Sequence, residues 1–376
     1  MYNYIMNSSV IPSYLLVIAG SARMLAHAAA NVSITPLVID LFTDLDTQRY
    51  TKAFFKIPSL AIPHLATAVD FFIKHYPVRH AIYGSGFEYY PESLYYLNSR
   101  LILLGNTPDT FARLQNKVDF FAVLANLDIP YPRVSFTEPN GSMWLTKPRQ
   151  GQGGLGIKYH HQVSSESAIN QPIYWQQYQQ GTPKSVLFLA DGQTVQVIGF
   201  NTQWTVEFET GEAFIFSGVI NSSGLSSKHK ALIIRWLTRL VIALGLNGLN
   251  SMDFIQDGEN LYVLEINPRL SASMQLYDTP LLIRHILASQ GDMINEPMVQ
   301  IGYTGYQIIY AEQPVVIPEA IKWPDACMDL PASGVSYRKA EPICSIIARH
   351  SIPRCVFEQL QFQQQQLLNQ LHTGSP

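Results

Sequence analysis

Leu261-Tyr-Val-Leu-Glu-Ile-Asn-Pro-Arg-Leu-Ser-Ala-Ser273 is the stretch on which the fold turns. It sets Glu265, Asn267 and Arg269 on alternate positions of a strand-like run, and side chains two apart on a strand share a face. A carboxylate, an amide oxygen and a guanidinium therefore project into one space. A core strand would carry apolar groups there, because an unpaired polar group costs free energy to bury. The carboxylate and amide oxygen are hard ligands suited to Mg²⁺, and the arginine suits phosphate. The other reading of the same residues is the solvent-facing edge of a half-buried sheet.

Immediately upstream, Leu249 to Ile255 reads as a strand, and Asp257-Gly258 is a hairpin signal. A loop with an odd number of residues, such as Asp257 to Glu259, puts Asp253 on the face of Glu265 and Asn267. A two-residue loop turns Asp253 away, so its place in the site depends on register.

Outward from the hairpin, the chain has 376 residues, 47% apolar and only 14% charged, enough for a large core in two or three domains. A net charge of −3 without a basic cluster argues against nucleic acid as the main partner. Cys327, Cys344 and Cys355 lie far apart without metal-ligand spacing, which suits a reducing cytoplasm. No stretch is long enough for a membrane span, and Tyr14 to Gly20, with no basic residue before Arg23, reads as a buried parallel strand.

Tyr14–Gly20, the helix that follows and the strand Pro36–Asp40 form a βαβ start that lacks the dinucleotide glycine fingerprint. The first 105 residues are expected to be an α/β domain, with Ser85 and Glu88 as candidate pocket residues beside a glycine loop. Thr107-Pro108-Asp109 starts a helix whose apolar stripe runs Phe111, Leu114, Val118, Phe121 and Leu124, with Lys117 off it. Met143 to Lys147 is a strand that runs into Gly151, Gly153, Gly154 and Gly156. Such a loop presents backbone N–H groups to phosphate oxygens, or else is a flexible hairpin tip. Ser226 or Ser227 to Leu244 is an amphipathic helix stopped by Gly245. A terminal helix rich in glutamine and leucine runs from Phe357 to His372. His160 and His161, past the glycine loop, are either surface residues or near a substrate.

In order, the segment around Lys117, Lys147 with its glycine loop, Gln176-Gln-Tyr-Gln-Gln-Gly181, Ser251-Met-Asp-Phe254 and Leu264-Glu-Ile-Asn-Pro-Arg269 resemble the ATP-grasp superfamily. The resemblance implies an α/β (α+β) class fold. A Rossmann-like pre-ATP-grasp domain would occupy residues 1–105 and a two-lobed ATP-grasp domain 106–300. A small C-terminal β lobe like those of PurK-like and biotin-carboxylase-like members, with the terminal helix, would fill 301–376. It implies that Lys117 and Lys147 contact ATP phosphates beneath the glycine loop, and that Gln176, Gln177 and Tyr178 form the adenine hinge. The family usually has glutamate where Gln177 stands, and Lys184 lies near where many members place an acid for the ribose. Asp253, Glu265 and Asn267 would hold Mg²⁺ or Mn²⁺, and Arg269 with Lys147 would serve the transferring phosphoryl group. Ser85, Glu88, Ser271, Ser273 and Asp278 are then the candidates for reading the acceptor.

The implied activity is ATP-dependent joining of a small-molecule carboxylate to an amine through an acyl phosphate, releasing ADP and phosphate. Within the superfamily, the wording of Gly248–Phe254 and Asn267–Met274 resembles ligases of one-carbon cofactor pathways (tetrahydromethanopterin and methylofuran), where an amino acid such as glutamate would be added. A PurK-like carboxylase and a nucleotide-binding regulatory protein without turnover are the alternatives. A homodimer is allowed by the family.

Overall fold

Tyr14–Ile18 (β1), Thr35–Asp40 (β2), Ala53–Lys56 (β3), His80–Tyr83 (β4) and Ile102–Leu103 (β5) form a parallel sheet in the order β3-β2-β1-β4-β5. The computed structural model describes residues 10–141, 143–160, 172–209, 211–294, 296 and 300–373, with side chains to residue 371. Helices Arg23–Asn31 (α1), Leu45–Tyr50 (α2), Ile62–His75 (α3) and Pro91–Arg100 (α4) connect the strands. β1 is buried on both sides: Leu15 and Val17 join one core with Leu25 and Ala26 of α1, and Leu16 and Ile18 another with Leu65 and Phe72 of α3. The near-continuous apolar run is what a parallel strand covered on both faces requires. Strand order reverses between β1 and β4, and ligands of open α/β sheets sit at the carboxyl ends flanking such a point. There Gly20 N–H donates to Ser85 O at 2.7 Å, bringing the loops of Ser21 and Ser85 together.

The single helix expected from Thr107 onward is two, Pro108–Gln115 (α5) and Lys117–Asn126 (α6). Asn116 breaks it. Its ψ of 97° is non-helical, and its side chain accepts from the N–H groups of Val118 and Asp119, starting a new helix. Thr107 caps α5 as its sequence suggests. Lys117 is consequently the first residue of α6 and is buried.

Val134–Ser135 (β6), Trp144–Pro148 (β7), Lys158–Tyr159 (β8) and Ile173–Gln177 (β9) make a small sheet in the order β6-β9-β7-β8. Thr182–Asp191 (β10), Val195–Val206 (β11) and Ile215–Ile220 (β12) begin a larger antiparallel one. The helix Ser227–Leu244 (α7) follows, bounded by the Ser226 cap and a left-handed Gly245, and buries Ile233, Trp236, Leu237 and Leu240. Asn247–Asp257 (β13) and Asn260–Asn267 (β14) form the hairpin of the opening stretch, and Leu281–Ala288 (α8) packs beside it. Tyr303–Tyr310 (β15), Val315–Val316 (β16), Cys327–Met328 (β17), Ser336–Tyr337 (β18) and Pro342–His350 (β19) precede the terminal helix Pro353–Thr373 (α9). The larger sheet runs β14-β13-β10-β11-β12-β15-β19-β17, so the last segment extends the sheet of the hairpin, with α9 packed on β15 and β19.

The hairpin corrects the odd-loop expectation. Asp257 pairs with Asn260, which leaves a two-residue loop with Gly258 at φ +57°. That loop alone would turn Asp253 away. A bulge at Leu264 restores the facing: Phe254 pairs with Val263, but Asp253 pairs with Glu265 and Ser251 with Asn267. Leu261, Val263 and Ile266 consequently enter the core. Glu265 and Asn267 line a cavity on the other face.

Candidate active site

A cavity of about 630 Å³ opens between the small sheet, the larger sheet and the carboxyl edge of the parallel sheet. That volume is the size of a small-molecule site. Lys117, Lys147, Gly151, Gly153, Gly154, Gln176, Gln177, Tyr178, Asp253, Glu265, Asn267, Arg269, Ser85, Ser271 and Ser273 all line it. Residues far apart in the chain thus converge on one space.

The strand register places the ionic groups. Asp253 and Glu265 are cross-strand partners, and Asn267 Nδ2 donates to Asp253 Oδ2 at 3.0 Å. Gln203 of β11, which carries no sequence signal beyond an exposed-looking polar strand, donates to Asp253 Oδ1 at 3.1 Å. Burial pushes the Asp253 carboxyl up to about 7, and the Glu265 charge adds to the shift. Lys117 Nζ lies 3.7 Å from Glu265 Oε2. On β7, Lys147 Nζ donates to Gln176 Oε1 at 3.0 Å. Burial lowers Lys147 to about 8, against the opposing pull of Glu265.

Two opposed carboxylates with an amide oxygen are a donor set that a hard divalent cation suits, and phosphate oxygens would complete its shell. Among the described residues, no group of three or more His, Cys, Asp or Glu side chains is placed to hold a metal by itself.

Arg269 is held from three sides. Its Nε donates to Glu88 Oε1 at 2.6 Å, its Nη2 to Asn267 Oδ1 at 3.3 Å and its Nη1 to Leu270 O at 3.4 Å. Behind it, Asn106 Nδ2 donates to Asn250 Oδ1 and Pro268 O at 2.7 and 3.0 Å, while Tyr83 Oη donates to Pro268 O at 3.2 Å. This buried polar network fixes the backbone that leaves the β14 strand.

The glycine loop lies on the rim. Phe216 N–H donates to Gly153 O at 2.9 Å, and Gly156 N–H donates to Glu212 Oε1 at 3.2 Å. Gly154, at φ +80°, passes so close to Phe214 that a Cβ would stand 1.8 Å from its carbonyl oxygen. At the hinge, Gln177 N–H and Tyr178 N–H donate to Arg133 O and Met143 O, both at 2.8 Å. Tyr178, Tyr159 and Phe214 form an aromatic group with ring centroids 5.4 to 6.2 Å apart.

Other expected positions lie off the cavity wall. Glu88 is buried against Arg269 and Gly86 N–H rather than open to a ligand. Asp278 pairs with Arg349 at 2.6 Å on the surface. Gly156 is set back in the loop, and the Lys184 ammonium is tied to Ser223 O and Thr202 Oγ1. His160 accepts from Trp175 Nε1 at 3.3 Å, and His161 lies outside the described residues. A junction not foreseen closes the far end. Arg23 Nε donates to Asp329 at 3.0 Å and its Nη2 to Gln275 at 3.0 Å, while Asp46 accepts from Asp329 N–H and Leu330 N–H at 2.9 Å. Its parts are separated by hundreds of residues, which no spacing rule links.

Residues 114–273 match the model of the ATP-grasp domain. The large chain of carbamoyl phosphate synthase from Clostridium botulinum (strain Eklund 17B / Type B) is 25% identical over 196 residues. That alignment covers 46% of this chain and 18% of the relative's length. Among solved structures, the biotin carboxylase domain of Hydrogenobacter thermophilus 2-oxoglutarate carboxylase, determined with MgADP and bicarbonate, superposes with a TM-score of 0.74 at 14% identity. It covers 93% of this chain and 89% of its own. The N5-carboxyaminoimidazole ribonucleotide synthetase of Thermus thermophilus gives 0.68 at 16%, covering 92% and 96%. At such identities the likeness is one of fold. No helix among the described residues is long and apolar enough to cross a membrane. With the domain model matched over the segment that carries these converging residues, residues 114–273 form an ATP-grasp domain, within a whole-chain fold like that of biotin carboxylase and PurK.

Proposed function

We propose that the protein is an ATP-dependent ligase that joins a small-molecule carboxylate to an amine through an acyl phosphate, with release of ADP and phosphate. The observation that carries this reading is the convergence of Lys117, Lys147 and Arg269 with the opposed Asp253 and Glu265 in one cavity under a glycine loop. Attack of a carboxylate on a γ-phosphate brings anions together, so cations must neutralise them. Lys117 and Lys147 supply fixed charge for the phosphates, and Arg269, clamped by Glu88, orients the transferring group. Asp253, Glu265 and Asn267 would hold Mg²⁺, which would supply positive charge to offset that of the phosphates. Gly151 to Gly156 would keep water from the acyl phosphate.

The acceptor enters from the first-domain edge at Ser21 and Ser85, with Ser271 and Ser273 on the facing wall. An amino acid such as glutamate, added during cofactor biosynthesis, falls within this acceptor class. A carboxylase acting on a nucleotide intermediate is the second reading, suggested by the N5-carboxyaminoimidazole ribonucleotide synthetases that share the fold. Against it, Arg23 is the cationic side chain that the first domain brings to this wall among the described residues, and Asp329 already pairs with it. ADP release measured across panels of carboxylates and amines, and separately with bicarbonate, decides between them. Turnover that needs both a carboxylate and an amine supports the ligase. Turnover with bicarbonate alone overturns it.

A further inference from the structure

Gln176 is the penultimate residue of β9, which the hinge continues, yet its side chain serves a different part of the cavity. On β9 it shares a face with Tyr174, whose cross-strand partner is Lys147. The residue is 2% exposed and lines the cavity. The Oε1 accepts the Lys147 ammonium at 3.0 Å. That contact fixes the amide's orientation, because the reverse would set an NH₂ donor against an ammonium donor. The Nε2 is thereby turned away from Lys147, and among the described residues it has no hydrogen-bond partner. A buried donor without an acceptor carries an uncompensated desolvation cost. A ligand that supplies the acceptor recovers that cost on binding.

We infer that Gln176 is a phosphate-binding residue: its Nε2 donates to an oxygen of the nucleotide polyphosphate held by Lys147, while its Oε1 fixes the Lys147 ammonium. The inference rests on the nucleotide reading above and assigns Gln176 to the phosphates instead of the adenine hinge. An anion drawn to the Lys147 ammonium arrives beside the other end of the same amide. The base, at the Tyr178–Phe214 end, has the hinge backbone and aromatic rings for its recognition.

Two substitutions separate the roles of the amide. Gln176→Glu keeps an acceptor for Lys147 and puts an anion where the donor stood. Gln176→Met removes both groups at nearly constant volume. Affinity for Mg·ADP is measured by calorimetry, adenosine binding by ligand-observed NMR, and ligand-free melting temperature checks folding. The expected result is a tenfold or greater loss of Mg·ADP affinity in both variants, at least as large in Gln176→Glu, with adenosine binding within twofold of wild type. Gln176→Glu binding Mg·ADP like wild type overturns the proposal, because the retained acceptor would then be all that matters. A parallel loss of adenosine overturns it too, by moving the contact to the base. A wild-type protein that takes up no Mg·ADP at millimolar concentration instead refutes the nucleotide reading itself.

Discussion

Glu88, in the turn after β4, and Arg269, two residues past the β14 strand, form a buried ion pair with Nε 2.6 Å from Oε1. The pair joins the acceptor side of the cavity to the proposed phosphoryl-transfer side. Both side chains are at most 10% exposed. Removing one member of such a pair leaves the other charge buried and uncompensated, at a cost of about 3–5 kcal/mol. Glu88→Gln is therefore expected to lower unfolding free energy by about 3 kcal/mol in urea titrations. It should also reduce kcat more than the KM for ATP, since Arg269 loses its aim while the lysines remain. An unchanged kcat in a destabilised variant would confine Glu88 to a structural role.

Opposite shifts at Asp253 and Lys147 set the pH response. Asp253 is pushed up to about 7 from an ordinary 3.8, so the metal-free folded state holds a proton there that the unfolded state releases. Its contribution to stability therefore falls as pH rises from about 4 to about 7. Binding of Mg·ATP needs the carboxylate anion, so apparent affinity should rise through that same upper range. Above about 8, Lys147 loses its proton and affinity should fall again. Calorimetry across pH 5 to 10 checks the bell shape. Lys147→Arg, whose charge persists at all these values, should extend the alkaline limb.

Gly154 and Gly153 separate steric from conformational demands in the loop. A Cβ at Gly154 meets the Phe214 carbonyl at 1.8 Å, whereas one at Gly153 meets nothing within 4 Å, and both have positive φ. Gly153→Ala should cost about 1–2 kcal/mol locally from the left-handed backbone alone. Gly154→Ala must also lift the loop off Phe214, so its apparent ATP affinity should fall at least tenfold further. Melting temperatures should change little, because the loop lies on the rim. Equal effects of the two substitutions would remove the docked loop from the account.

Much of this site was legible because strands and caps obey local rules. The alternation of Glu265, Asn267 and Arg269, the Thr107 and Ser226 caps and the Gly245 stop all follow from neighbours in sequence. The break at Asn116 was hidden because apolar spacing continues across it, and only the side-chain cap decides. The bulge left a trace that loop counting missed: apolar positions 261, 263 and 266 shift phase at Leu264. Gln203 on Asp253, Glu88 on Arg269 and Asp329 on Arg23 depend on tertiary contacts with no spacing signature.

Asp253, Glu265 and Asn267 are proposed to complete a magnesium–nucleotide site. Calorimetric titration of Mg·ADP into the wild type, Glu265→Gln and Asn267→Ala, with and without Mg²⁺, tests it most directly. The account predicts wild-type binding that weakens at least tenfold when Mg²⁺ is withheld, and a comparable loss in both variants at unchanged melting temperature. Nucleotide binding that is indifferent to Mg²⁺ and to both substitutions would contradict it.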